Sequence, residues 1–317
     1  MKKVAKRIGI GIGVAVASVA VILLGFAAFH RIALAVERDR IEPIGHMVEV
    51  NGEMMHVYIT GENDEAPLLV FLPGGTIFAP VYHFKPLYSL LTDYRIAVVE
   101  PFGFGYSDIT SVPRYGDVVV SEMRQALHQI GEIGPFILIP HSAGGQDALR
   151  WAQLYPDEVA GIVGINMMHP AVPLNGHLRG SVAPFQVVAT WIGLQRLPMF
   201  DAFYPYPYHP EALTEQDQEQ LGLLIRRNAM NGAVRSRVSL YYRNAQIIVD
   251  DGLPNLPVML IVTTHPTALP FHVAYQEEFG RQVSAQIAYI DTGHFAHQYE
   301  PQQVADIIRT FINDMQE

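Results

Sequence analysis

Phe136-Ile-Leu-Ile-Pro140-His141-Ser142-Ala143-Gly144-Gly145 runs directly into Gln146–Tyr155. The apolar run reads as a buried strand, the next residues as a tight turn with serine at its apex, and the remainder as a helix. Such a turn lifts the serine hydroxyl clear of the sheet. It also sets that hydroxyl at a helix N-terminus, where positive potential favours developing negative charge. Gly144 has a steric reason to be glycine, because helix and strand approach too closely there for a side chain. The plainer reading of the same residues is a serine N-cap before an ordinary helix. The flanking sequence decides between the two.

Upstream, His46 to Ile59 alternates apolar and polar residues around Asn51-Gly52, the pattern of a β-hairpin. Unbroken apolar runs follow at Leu68–Leu72, Ile96–Val99, Phe136–Ile139, Val159–Ile165, Val258–Val262 and Ala285–Ile290. Runs of this kind suit strands buried on both faces of a parallel sheet. Helical patterns lie between or after them at His83–Thr92, Val118–Ile133, Ala143–Leu154, Phe271–Phe279 and Pro301–Met315. The alternation predicts an α/β fold, a mostly parallel sheet with helices on both faces. It breaks between Pro170 and Leu256, where a proline- and aromatic-rich stretch, Phe200–Pro210, is followed by a helical one, Glu211–Val249. This insertion, about residues 170–256, is expected to cap the carboxyl edge of the sheet, where ligands bind in open α/β sheets. Its aromatics (Trp191, Phe200, Phe203, Tyr204, Tyr206, Tyr208) fit an apolar acyl or aromatic substrate, and fit an ordinary cap core as well.

Two further segments give the serine its context. Leu72-Pro73-Gly74-Gly75-Thr76 follows the strand at Leu68–Leu72. Ile290-Asp291-Thr292-Gly293-His294-Phe295 lies between the last strand and the last helix. With Glu100-Pro-Phe-Gly103-Phe-Gly105-Tyr-Ser107-Asp108, similar to the Asp-x-x-Gly-x-Gly-x-Ser-Asp segment of α/β hydrolases, these motifs make residues 46–317 resemble the α/β-hydrolase superfamily. The resemblance is to its group of esterases, lipases and proline-iminopeptidase-like enzymes. It implies Ser142 as nucleophile, His294 as general base, and an oxyanion hole from the amides of Gly75 (or Thr76) and Ala143. His141 looks like the family's usual neighbour of the serine. Ser107, Asp108 and His297 read as structural. Serine at the elbow argues against the haloalkane dehalogenases and epoxide hydrolases, which use aspartate there.

The chain departs from the family in two places. Pro140 stands where the elbow usually begins with glycine, and proline fixes φ and removes an amide hydrogen. The triad acid is also missing from its usual positions. No carboxylate occurs between Asp251 and Glu277, or between Glu158 and Asp201. Three readings follow. An insertion carboxylate (Asp201, Asp250 or Asp251) swings in; Asn166, at the end of its strand, orients His294; or the site has weakened and the domain binds rather than hydrolyses. The expected activity is hydrolysis of a carboxylic ester or amide through an acyl-enzyme, and the alternative is an inactive binding protein on the same fold.

The chain has no cysteine, which excludes disulfides, thiolate catalysis and cysteine-ligated metals. No metal motif such as H-E-x-x-H occurs, and the Gly-x-Gly at 103–105 lacks the rest of a dinucleotide fingerprint, so no metal and no cofactor is expected. The net charge of −10 divides unevenly: residues 1–40 carry +5 and the remainder −15. An acidic domain repels phosphate backbones, so nucleic acid is not an expected partner. Ile8 to Phe29 is an uncharged run, about 33 Å long as a helix at ~1.5 Å per residue, against a hydrocarbon core of ~30 Å. Lys2, Lys3, Lys6 and Arg7 precede it, and the positive-inside bias predicts a single-pass anchor with its N-terminus in the cytoplasm. Residues 1–40 are thus read as basic tip, anchor and linker, and residues 41–317 as an extracytoplasmic α/β-hydrolase domain. A cleaved signal peptide ending at Ala33-Leu34-Ala35 is the competing reading, and both readings export the domain.

Overall fold

The computed structural model describes residues 2–63, 65–177, 182–197, 210–265 and 272–316. Eight strands form one sheet: β1 His46–Val50, β2 Glu53–Thr60, β3 Leu68–Leu72, β4 Arg95–Glu100, β5 Phe136–Pro140, β6 Val159–Ile165, β7 Val258–Thr263 and β8 Gln286–Ile290. Their order is β1-β2-β4-β3-β5-β6-β7-β8. The β1–β2 hairpin is antiparallel and turns at Asn51 and Gly52, both with positive φ, which matches the twist of the paired strands. β2 joins β4 antiparallel, and every pairing from β4 to β8 is parallel. β3, β5 and β7 are buried along their whole length, as unbroken apolar runs require.

The first helix, α1 Lys2–Glu37, is continuous, and its apolar side chains from Ile8 to Phe29 point almost entirely outward. Two short helices, α2 Pro80–His83 and α3 Lys85–Tyr88, follow β3; the helix expected at 83–92 is broken there because Pro86 sits at the start of a new turn. α4 Gly116–Gln129 and α5 Gly144–Leu154 pack on the sheet after β4 and β5. α4 ends before the expected Ile133, since Gly131 takes a left-handed φ of +90°. Between β6 and β7 run α6 Ala171–Leu174, α7 Pro184–Trp191, α8 Glu215–Asn228, α9 Gly232–Ser239 and α10 Tyr241–Asp250. α11 His272–Gln282, α12 Ala296–Tyr299 and α13 Pro301–Gln316 complete the chain.

The inserted helices cover the carboxyl ends of β3 and β4. Asn228 donates to the carbonyls of Phe78 and Gly105, Asn231 to Gly103, and Arg237 to Pro73. Each bond satisfies a loop carbonyl that the insertion would otherwise bury unpaired. The end of α1 grips the same insertion. Arg196 forms a bidentate pair with Glu37 at 2.7 Å, and Gln220 donates to the Arg40 carbonyl.

Beneath these loops lies a buried carboxylate. Glu100, at the end of β4, accepts from the amides of Val81 and Tyr106 and pairs with His56 at 2.8 Å. Ser107 bridges the His56 amide to the Glu100 carbonyl, and Asp108 accepts from the Met54 amide, so both act as turn residues. Gly105, with φ +50°, leaves room for the carboxylate; a Cβ there would fall 1.7 Å from Glu100 Oε2. Gly105→Ala is therefore expected to cost about 2–4 kcal/mol, combining steric overlap with a displaced buried carboxylate. Urea unfolding at neutral pH measures it, and a loss below about 1 kcal/mol would show that the carboxylate is not locked in place.

Candidate active site

The chain reverses its direction of growth across the sheet at β3: β4 is added on one side, β5 on the other. A crevice opens at the carboxyl ends of two strands that diverge in this way. The loop after β3 and the turn after β5 both end in it.

The turn after β5 has the geometry that its sequence calls for. Ser142 has φ +47°, a left-handed value that costs a non-glycine residue strain and is held only where surroundings fix it. They do so from three sides. The His141 amide bonds the Leu72 carbonyl, the Ser142 amide bonds the Ile165 carbonyl, and the Ser142 carbonyl accepts from Met168 and Gly145. Pro140 is accommodated as the last residue of β5, and the turn keeps its shape. A Cβ on Gly144 would lie 2.5 Å from the Leu72 carbonyl oxygen, and one on Gly145 2.6 Å from that of Met168. Both glycines let α5 start against the sheet.

Gly74 and Gly75 lie against this turn. A Cβ on Gly74 would stand 3.1 Å from Ser142 Cβ, and one on Gly75 3.7 Å from Ala143 Cβ. The loop is held from the inserted helices by residues that the sequence did not single out. Arg237 pairs with Asp147 at 2.5 Å and donates to the Pro73 carbonyl. The Tyr241 hydroxyl fills the space over Gly75, where a Cβ would meet it at 2.1 Å. Burial raises the pKa of the Tyr241 phenol, which stays neutral.

His294 reaches the same crevice, with its ring 4.8 Å from that of His141 and 6.4 Å from that of His272. It is open to solvent on one side but crowded on the others. Desolvation first, and His272 second, push its pKa down to about 4. Among the described residues, neither its ring nor the Ser142 hydroxyl is in a hydrogen bond, and no carboxylate acts on the ring to raise its pKa. Asn166, itself in a left-handed conformation at φ +43°, holds the main chain of His294 and not its imidazole. Its Nδ2 donates to the His294 carbonyl at 2.9 Å, while its Oδ1 accepts from the Thr263 amide and hydroxyl and faces His272 Nε2 at 2.7 Å. Asp251 is taken by Arg150 and Asp250 by Gln246; Asp201 and the aromatics at 200–208 lie outside the described residues.

Behind His141 lies a second layer of histidines. His83 Nδ1 and His297 Nε2 are 3.0 Å apart, and the His297 ring is 4.6 Å from that of His141. All three rings are buried, and desolvation holds their pKa values well below the usual imidazole value. Among the described residues, no group of three or more histidines and carboxylates is arranged to hold a metal ion.

A family model described as the alpha/beta hydrolase fold matches residues 67–184. The fold is that of the α/β hydrolases. The chain is 28% identical to the uncharacterized protein YbdG of Bacillus subtilis over 98% of its own length and 99% of that protein's. It is 23% identical to epoxide hydrolase 1 of Caenorhabditis elegans, covering 94% of this chain and 78% of the other. Two solved structures share the α/β-hydrolase architecture. An epoxide hydrolase from Bacillus megaterium has a TM-score of 0.62 at 20% identity, over 84% of this chain and 100% of its own. The enol-lactonase from Burkholderia xenovorans has a TM-score of 0.60 at 16% identity, with the same coverage.

The histidines tie stability of this α/β-hydrolase fold to pH. His83, His141, His169, His272, His294 and His297 all have lowered pKa values in the folded state. The unfolded chain therefore takes up protons first, so the stability they confer is full above about pH 6.5 and is lost as pH falls toward 4. His56, whose pKa Glu100 raises against the pull of desolvation, has the opposite sign. Urea midpoints between pH 7.5 and 4.5 should fall with a slope of more than about two protons. His297→Gln should reduce that slope by about one proton; an unchanged slope would mean that His297 is already free to protonate.

Proposed function

We propose that this chain is a serine hydrolase that cleaves a carboxylic ester or amide through an acyl-enzyme on Ser142. The observation that carries this reading is the left-handed Ser142 at the strand–helix turn, with His294 and the Gly74–Gly75 loop around it. In the proposed cycle His294 takes the Ser142 proton as Oγ bonds to the substrate carbonyl carbon. The amides of Gly75 and Ala143 receive the negative oxygen. His294 then returns the proton to the leaving alcohol or amine as the carbon–heteroatom bond breaks. Water, deprotonated by the same imidazole, releases the acid and restores Ser142.

With a pKa pushed down to about 4, His294 is neutral at physiological pH and ready to accept a proton. It is also a weak base, and among the described residues no carboxylate is placed to stabilise its imidazolium, so slow turnover is expected. Asn166 acts as a positioning residue: it holds the backbone that carries the imidazole. The names of the relatives divide between epoxide and lactone chemistry. Serine at the turn favours acyl transfer, because opening an epoxide with a serine hydroxyl would leave an alkyl ether that water does not hydrolyse. The helix α1, long and apolar enough to cross a membrane, is read as a single-pass anchor with its N-terminus in the cytoplasm and the hydrolase domain outside. No cofactor or nucleic-acid partner enters this reading.

A fluorophosphonate probe tests it. Wild type should be labelled, and Ser142→Ala and His294→Ala should not. The labelling rate should rise with pH around 4 and level off by about pH 6, earlier than an unperturbed imidazole at ~6.5 allows. Asn166→Ala should slow labelling about 10- to 100-fold through a misplaced His294. Absence of labelling in folded wild type would turn the assignment to a binding protein on a hydrolase fold.

A further inference from the structure

A cavity of about 690 Å³ lies away from Ser142, at the junction of α1 with the inserted helices. Arg31 of α1, Arg38 in the turn just after it, Arg226 and Arg227 of α8, and Arg235 of α9 all line it, in a domain that is otherwise strongly acidic. Two carboxylates share the cavity, and both are engaged. Glu37 is held by Arg196 and Arg226, and Asp108 accepts from the Met54 amide. Among the described residues, Arg31, Arg38, Arg227 and Arg235 form no ion pair. Arg227 has only the Gly105 carbonyl at 3.0 Å, and Arg235 the Met230 carbonyl at 2.8 Å. Burial, opposed by Asp108 and Glu100 and reinforced by Arg38, lowers the pKa of Arg227, an unusual state for a guanidinium. Five guanidiniums against two carboxylates leave the cavity with an excess of positive charge, and an anion with several acceptor oxygens offsets that excess through charge-assisted bonds.

The position of the cavity narrows the choice of anion. The apolar run of α1 ends at Phe29, and Arg31 follows two residues later, about 3 Å further along the axis. Ala27 and His30 are buried against the insertion, so the cavity begins where the apolar run ends. One wall is apolar, formed by Leu34, Val187 and the half-exposed Trp191. A cluster of arginines beside an apolar wall at that level matches a phosphodiester with its glycerol and the start of its acyl chains.

We propose that this cavity binds the headgroup of an anionic phospholipid drawn from the bilayer that α1 enters. The inference rests on the reading of α1 as a membrane span and is independent of the chemistry at Ser142.

The chain has two tryptophans, and Trp151 is fully buried, so Trp191 emission reports the cavity once the Trp191→Phe background is subtracted. Full-length protein in dodecyl maltoside would be titrated with dihexanoyl-phosphatidylglycerol, dihexanoyl-phosphatidylcholine and inorganic phosphate. Phosphatidylglycerol should give a saturable change, with phosphatidylcholine about tenfold weaker or worse. Arg31→Gln/Arg38→Gln, two exposed positions whose loss leaves the fold intact by circular dichroism, should weaken phosphatidylglycerol about 10- to 30-fold. Equal responses to the two lipids, or none, would overturn the proposal. Inorganic phosphate binding as tightly as phosphatidylglycerol would overturn the lipid source and leave a free-anion site. Flotation of the full chain with phosphatidylcholine vesicles separates the two readings: failure to float removes the membrane span, whereas floating protein that does not discriminate between the lipids removes only this site.

Discussion

The backbone of Ser142 is the constraint on which the rest of the site depends. A serine at φ +47° is unfavourable by itself, and the surrounding structure fixes it by bonding both its amide and its carbonyl to β6 and the loop that follows. Those bonds need β5 and β6 in register, and the start of α5 pressed onto β3, which Gly144 and Gly145 permit. The strained turn, the parallel sheet and the two glycines are therefore one arrangement. Loosening any part would let Ser142 relax to an ordinary conformation and withdraw its hydroxyl from the crevice.

Around that turn the described residues are histidines and amides. Asn166 occupies the end of β6, and His272 begins α11, just after β7. They bond to each other and to the backbone, and give the site rigidity without charge. Among the described residues no anion acts on these rings and several imidazoles do, which keeps each ring neutral, since desolvation and mutual repulsion act in the same direction. Neutrality favours proton acceptance at physiological pH and disfavours the imidazolium that follows.

The sheet was legible in the sequence because each buried strand is a local apolar run, and the β1–β2 turn because Asn51-Gly52 encodes its own backbone angles. The turn at Ser142 was legible for the same reason: strand, serine and glycines are contiguous. The broken helix after β3 was missed because apolar spacing alone does not register Pro86 as a restart. The support of the Gly74–Gly75 loop was not legible at all. Asp147 and Arg237 are 90 residues apart, and nothing local marks Tyr241 as the residue over Gly75. Asn166 was found by its place at the end of β6, but its partner is a main-chain carbonyl 128 residues away, and backbone position leaves no trace in composition.

The N-terminal helix and the crevice are connected through the insertion and not through the sheet. Glu37 and Arg40 of the α1 region bind Arg196 and Gln220, while Asn228, Asn231 and Arg237 of the same insertion hold the loops after β3 and β4. The helices that lie over the crevice are therefore also the ones fastened at the level where α1 loses its apolar character. A helix so fastened cannot swing freely without breaking the half-buried, bidentate Arg196–Glu37 pair. If α1 lies in a bilayer, the part of the crevice wall contributed by the insertion stays fixed relative to that surface.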